Sequence, residues 1–337
     1  MADERVLVTG TGHLGVGEGI VQCLRAAGRG YVILAANGDP RASSLFSCDA
    51  GYLLPHASAE NYLDVLEGLC AAESVSFLIP GSEAELNALC DAHSRFARLG
   101  CTLLANARSV VEIGSDKFRT HQFLKEHGLP TPDSVRHPSV EHADRLGWPV
   151  IVKPVRGGGS RHVNIATCPE ELEAVLSLMR VRGIDVFMQR CVGSMDEEYT
   201  TSALFDPSGQ LIGSFAARRR LVGGATASVE VHDFPELRDL TVRVARCLRA
   251  TGPINVQLRV GDQGPSIFEI NPRFSGSAPF RAACGFNEPD LLIQSILAGS
   301  PVEWGPPRLD VMGLREFREV LVPQADVAQV GGAGVCR

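Results

Sequence analysis

The sequence predicts an α/β protein that turns α+β toward its C-terminal end, and three observations carry that reading. Through about residue 110, short apolar runs alternate with helical stretches, as in a mostly parallel sheet covered on both faces. A glycine-rich loop, RGGGSRHV (156–163), then separates two strands instead of joining a strand to a helix. From about residue 194 onward, strands dominate.

Each element follows from its residues. RVLVTG (5–10) is a buried-type strand that runs into TGHLGVGEG and a helix ending near Ala27. YVILAA (31–36) is a second strand, SAENYLDVLEGLCAAES a helix, and VSFLIPG a third strand. EAELNALCDAHSRFARLG follows as one helix and CTLLAN as a short strand, completing a doubly wound N-terminal domain. In SDKFRTHQFLKEHGLPTP, Ser115 is placed to cap, Gly128 to stop the helix, and Pro130 and Pro132 to keep it from restarting. WPVIVKP (148–154), the glycine loop, NIA, the helix PEELEAVLSLMR and VFMQRCV then make a β–loop–β–α–β lobe. EEYTTSALFD, QLIGSFAARRR and TASVEV are strands. PELRDLTVRVARCLRA puts Leu237, Leu240, Val244 and Leu248 on one helical face. INVQLRV and SIFEINP form a hairpin, and the tail GGAGVCR carries nothing to order it.

Composition narrows the function classes. The 337 residues suffice for two or three domains, and 45% hydrophobic with 21% charged residues excludes a disordered chain. A net charge of −7 with no basic, aromatic-interleaved stripe argues against nucleic acid. No run is long enough for a transmembrane helix, and MADERVLVTG lacks a signal peptide's layout, so a cytoplasmic protein is expected. Ten scattered cysteines without CxxC pairs read as reduced thiols, and the nine histidines show no zinc spacing.

Two stretches carry chemistry. In EINPRFSGS (269–277), Glu269 and Asn271 are two apart on a strand and point to one side, with Phe268 and Ile270 facing a core. A carboxylate beside an amide oxygen suits a hard cation such as Mg²⁺. If the preceding turn centres near Gln263, Gln257 falls opposite Glu269 and Asn255 opposite Asn271, and four oxygen-bearing side chains share one face with Arg259. The glycine loop, flanked by Arg156 and Arg161 and preceded by Lys153, can bring bare backbone N–H groups against a polyphosphate. The competing signal is GTGHLG (10–15), a GxGxxG turn after a strand with Asp39 within reach of a ribose. It would make the chain an NAD(P)-dependent oxidoreductase.

The motifs SDKFRTHQFLKEHGLPTP, WPVIVKPVRGGGSRHV, MQRCVGSMDEEYT, GPINVQ and EINPRFSGS, in this order and spacing, resemble the ATP-grasp superfamily, in particular the synthetase halves of the carbamoyl phosphate synthetase large subunit. The resemblance spans roughly residues 1–300. It implies an ATP-grasp fold: an N-terminal α/β domain (1–114), a small lobe with a glycine-rich lid (115–192), a lobe with the metal site (193–305), and a C-terminal strand and flexible tail (306–337). It further implies that Lys117 and Lys153 contact nucleotide phosphates and that Gly157, Gly158, Gly159 and Ser160 close over them. The backbone at Cys191 and Val192 would face adenine, and Asp196 or Glu198 would take the ribose. Glu269 would bridge two Mg²⁺ ions (Mn²⁺ can substitute) with Asn271 and Gln257 completing their shells, and Arg273 would steady the transferring phosphoryl group.

Three departures stand out. Gln257 is neutral where many relatives carry a carboxylate, Arg190 stands where an acidic residue is common, and His162 replaces a frequent glycine. The Arg218–Arg219–Arg220 run could reach phosphate or an acidic substrate, or simply face solvent. The activity implied is an ATP- and Mg²⁺-dependent carboxylate–amine ligase that forms an acyl phosphate and ADP. Its partners would be small-molecule acids and amines, and a homodimer is compatible with it. The alternatives are the oxidoreductase and a non-catalytic nucleotide-binding module.

Overall fold

A computed structural model describes residues 4–12, 15–194, 197–316, 318–333 and 335–336. The N-terminal domain is built on β1 (Arg5–Val8), β2 (Val32–Asn37), β3 (Ala50–Leu53), β4 (Phe77–Ile79) and β5 (Thr102–Leu103), all parallel, in the order β3-β2-β1-β4-β5. Its strands are nearly continuous apolar runs because both sheet faces are covered. The sequence reading lacked β3. AGYL is short and contains glycine, and its partner β2 supplies the order that its own pattern does not. VSFLIPG forms the fourth strand, not the third, on the far side of β1. The single helix expected over 83–100 is two, Glu83–Leu89 and His93–Ala97.

The small lobe holds β6 (Ser134–Val135), β7 (Val150–Pro154), β8 (Asn164–Ala166) and β9 (Val186–Arg190), in the antiparallel order β6-β9-β7-β8. Ala143, Val150, Val152, Ala166, Leu172 and Met188 give it a core of its own. The helix Lys117–Glu126 leads into this lobe. Asp116 caps it, accepting from the N–H groups of Phe118 (3.0 Å) and Arg119 (2.9 Å), whereas Ser115 closes the preceding helix, Arg108–Gly114. The carboxylate takes the cap because it reaches two donors at once.

The large lobe is a six-stranded antiparallel sheet of β10 (Glu198–Phe205), β11 (Leu211–Val222), β12 (Ala225–Val231), β13 (Pro253–Gly261), β14 (Gly264–Asn271) and β15 (Val311–Leu314) in the order β14-β13-β10-β11-β12-β15. One face packs on the helix Pro235–Leu248 through Leu237, Leu240, Val244 and Leu248, the stripe that helical spacing predicts. The other face shares a core with the N-terminal domain, in which Val6, Val8, Ile20 and Leu24 meet Leu204, Phe215, Val229, Phe286 and Ile293.

The C-terminal segment is neither separate nor without order. β15 extends the large sheet, the helix Gln324–Ala333 buries Val330 against Ala35, Ala42 and Leu45, and β16 (Val335–Cys336) pairs with β3 at the open edge of the N-terminal sheet. An unpaired strand edge offers backbone partners to a segment that composition alone leaves without any.

Candidate active site

The small and large lobes form a cleft of about 290 Å³ between them. Among the described residues its charged lining comprises Lys117, Lys153, Arg161, Arg190, Arg219 and Arg259 against Glu198 and Glu269, so its field favours a polyanion. Ile151, Val163, Ile165, Leu221 and Phe268 supply an apolar wall.

Lys153 projects from β7 into this cleft and is nearly fully buried. Its ammonium donates to Gln189 Oε1 at 2.8 Å and lies 4.7 Å from the ring centroid of Phe268. Burial pulls its pKa down to about 8, Glu269 opposes that shift, and Arg259 and Lys117 reinforce it. Lys117, at the start of its helix, donates to the carbonyl of Gly157 and so ties the glycine loop to the cleft floor. The loop is exposed, with Gly157 at φ +102° and Gly159 at φ +69°. Ser160 and His162 adopt left-handed backbone as well, at φ +54° and +58°. The tip also touches the β11–β12 turn: a Cβ on Gly224 would come 2.5 Å from the Gly159 carbonyl oxygen.

The opposite wall comes from the late hairpin. Gln257 pairs with Glu269 and Asn255 with Asn271, the register that a turn near Gln263 predicts. The register shifts between Gln257 and Leu258, leaving Phe268 as an extra residue in β14. This corrects the strict alternation expected from the sequence. Ile267 and Ile270 are the core residues, and Phe268 joins Glu269 in lining the cleft. Asn271 Nδ2 donates to Glu269 Oε1 at 3.1 Å, and Arg273 donates to Asn271 Oδ1 at 3.1 Å. Burial pulls the Arg273 guanidinium below its usual range, against the fields of Glu83 and Glu269. Asn255 is turned into the sheet, donating to Thr200 Oγ1 and the Thr201 carbonyl.

Several side chains have partners that the sequence did not suggest. Glu198, expected to face a ribose, has both oxygens engaged: Arg219 donates to Oε1 at 2.7 Å and Arg259 to Oε2 at 2.9 Å. Arg219 also donates to Gln257 Oε1 at 2.8 Å. The arginine run thus splits by strand alternation. Arg218 pairs with Glu230 and Glu197 on one face, Arg219 enters the cleft, and Arg220 is exposed. Arg190 and Val192 line the cleft and also an adjoining depression that Cys191 borders with Pro130 and Gly261–Ser266. Asp196 lies outside the described residues. Gln189 and Phe268 were missed as site residues, and Arg219 is the member of the arginine run that reaches the cleft. Period-two spacing from Lys153 and Gln257 does not find them, because each is brought in by a neighbouring strand or by the bulge.

The donor set fits a hard cation held jointly with phosphate oxygens. It comprises one carboxylate, Glu269, flanked by the amide oxygens of Asn271 and Gln257, and among the described residues no group of three acidic, histidine or cysteine side chains could hold a metal alone. The dinucleotide signal fares differently. The Gly10 N–H already hydrogen-bonds the buried Glu85 carboxylate, which packs against that glycine. His13 and Leu14 of that turn lie outside the described residues.

Comparison with known proteins agrees with this geometry. Residues 195–317 match the family described as "ATP-grasp in the biosynthetic pathway with Ter operon", and residues 6–104 match the PylC-like N-terminal domain. The chain is 26% identical over 326 residues to the carbamoyl phosphate synthase large chain of Thermomicrobium roseum, which covers 88% of this chain and 30% of that one. It is 31% identical over 227 residues to the D-alanine–D-alanine ligase of Mycolicibacterium smegmatis, covering 58% and 59%. The chain thus spans about a third of the length of the synthase relatives it matches. In fold it resembles the N5-carboxyaminoimidazole ribonucleotide synthetase of Thermus thermophilus, with a TM-score of 0.71, 20% identity, and 97% and 87% of the two chains covered. It also resembles the biotin carboxylase domain of the Hydrogenobacter thermophilus 2-oxoglutarate carboxylase, solved with MgADP, with a TM-score of 0.69, 18% identity, and 92% and 73% covered. The chain carries an ATP-grasp domain preceded by a PylC-like N-terminal domain.

Proposed function

We propose that the protein is an ADP-forming, ATP- and Mg²⁺-dependent carboxylate–amine ligase. The observation that carries this reading is the convergence of Lys117, Lys153 and the Gly157–Ser160 loop from one side of the cleft with Glu269, Asn271 and Gln257 from the other. Cations and bare amides suit phosphates, the oxygen donors suit a divalent cation, and the apolar wall including Phe268 suits a base.

When bound, Mg²⁺ supplies charge neutralisation at the phosphate oxygens. Lys153, held by Gln189 and the Phe268 ring, places its ammonium against the phosphates. Lys117 holds the glycine loop over them, and that loop excludes water. Arg273, steadied by Asn271, offers a guanidinium to the group being transferred. The substrate carboxylate attacks the γ-phosphorus and releases ADP; an amine then displaces phosphate from the acyl phosphate to form the amide. The buried Glu85 at Gly10 argues against the oxidoreductase reading.

The experiment has two parts. Saturating MgATP should raise the melting temperature and NADH should not. A screen of acids with hydroxylamine as the amine should yield a hydroxamate and ADP. AMP and pyrophosphate as products would overturn the mechanism, and stabilisation by NADH alone would overturn the class.

A further inference from the structure

Arg315 lies just past the end of β15, and its backbone N–H donates to the Ala227 carbonyl of β12. Gly313 pairs with Val229, and Val229 with Arg219. Paired residues on antiparallel strands share a face, as do residues two apart, so Arg315 is on the same sheet face as Arg219. Met312 and Leu314 are exposed on the opposite face. Two strand spacings of ~4.8 Å put Arg315 roughly 10 Å across the sheet from the β11 row that enters the cleft.

The Arg273–Ser277 loop borders this position. An Arg315 guanidinium nitrogen donates to the Gly276 carbonyl at 2.5 Å, and its carbon sits 5.0 Å from the Phe280 ring centroid. The hydroxyls of Thr226 and Ser277 meet at 2.9 Å and fix the loop to β12. On the loop's other flank is the helix Val16–Ala26, where a Cβ on Gly19 would come 3.3 Å from Pro279. Arg315 therefore stands on the side of the cleft floor that adjoins the N-terminal domain.

Its electrostatic situation differs from that of its neighbours. Arg219 and Arg259 share Glu198, Arg281 has Glu288, and Arg273 faces Glu83 and Glu269. Arg315 is half-buried, burial pulls its guanidinium down, and among the described residues no carboxylate pairs with it. Leaving a guanidinium partly desolvated without an anion is costly, and its planar fork matches a carboxylate.

We propose that Arg315 receives a substrate carboxylate that the reaction does not consume. The inference rests on the ligase reading and adds a substrate class to it. The group is either the carboxylate of an amino-acid acceptor or the second carboxylate of a dicarboxylic donor.

The test is thermal stabilisation of the full chain in saturating MgADP by the common L-amino acids, by the straight-chain dicarboxylic acids from malonate to adipate, and by the amide of each. At least one acid should stabilise the MgADP form and its amide should not. The responding series identifies which substrate carries the group. Arg315→Gln should weaken that acid by about tenfold or more while keeping the MgADP shift, and Arg315→Lys should restore part of the loss. An acid shift that survives in Arg315→Gln, an amide as effective as its acid, or no response to any acid in protein that binds MgADP overturns the inference. Absence of the MgADP shift itself would remove the ligase reading beneath it.

Discussion

Lys153 is a lysine in a place that disfavours its charge, and this gives nucleotide binding a pH signature. Its pKa in the free fold is about 8, below the ordinary lysine value, so between those two values the unfolded chain holds more protons than the folded one. The fold therefore gains stability from this group as pH rises through that window, and loses it as pH falls through about 8. In the proposed function, phosphates held against Lys153 restore its charge, so nucleotide binding above about pH 8 should take up a proton. MgADP affinity measured by calorimetry should fall with rising pH above that point, by up to about tenfold per pH unit, and Lys153→Arg should flatten the profile. A flat wild-type profile from pH 7 to 9.5 would remove Lys153 from the phosphate site. Glu269→Gln should cut turnover by about 10²-fold or more, as loss of an electrostatic catalytic group does, with an unchanged circular dichroism spectrum. Glu269 sits at a strand end facing the cleft, outside the apolar core. Retained turnover would refute the assignment.

The glycine loop and the β11–β12 turn form one contact made of backbone. Gly224, at φ +79°, leaves room for the Gly159 carbonyl that a methyl group would take. The small lobe has its own core, so it can move as a unit over the cleft. Hydrogen exchange of the Gly157–Ser160 amides should slow when a non-hydrolysable ATP analogue binds, and Gly224→Ala should largely abolish that protection. Equal exchange with and without nucleotide in the wild type would mark the loop as a rigid turn. At the other end of the chain, removing residues 324–337 uncovers the β3 edge and the cluster around Val330. Burial of Val330 alone is worth about 1.5–3 kcal/mol, and urea denaturation should register a loss at least that large.

Across the whole molecule, the N-terminal domain and the large lobe fold around one shared core. Beside that core Arg281 and Glu288 form an ion pair at 2.9 Å, each about 1% exposed or less. Glu288 also accepts from Ser202, and Arg281 donates to Thr200 at 2.9 Å. Arg281→Met leaves a buried carboxylate without its cation and should destabilise by about 3–5 kcal/mol. Both units should lose structure in a single transition, detectable by calorimetry. Two well-separated transitions for the N-terminal domain and the large lobe would contradict the shared core.

Local pattern alone determined much of this protein. The apolar runs specify strands, the helical stripe of Leu237, Leu240, Val244 and Leu248 specifies a packed face, and the hairpin length specifies the pairing of Gln257 with Glu269. These are short-range consequences of period and turn geometry. Only the tertiary structure decided the rest. The guanidinium bridge from Arg219 to Gln257 and the pairing of the tail with β3 depend on strands distant in sequence, and the bulge that turns Phe268 to the cleft is a register shift inside the β13–β14 hairpin that strand period does not specify. Which partner a side chain meets across a sheet, and which charge meets no carboxylate among the described residues, as at Arg315, is set by the assembly of the strands, to which no local spacing has access.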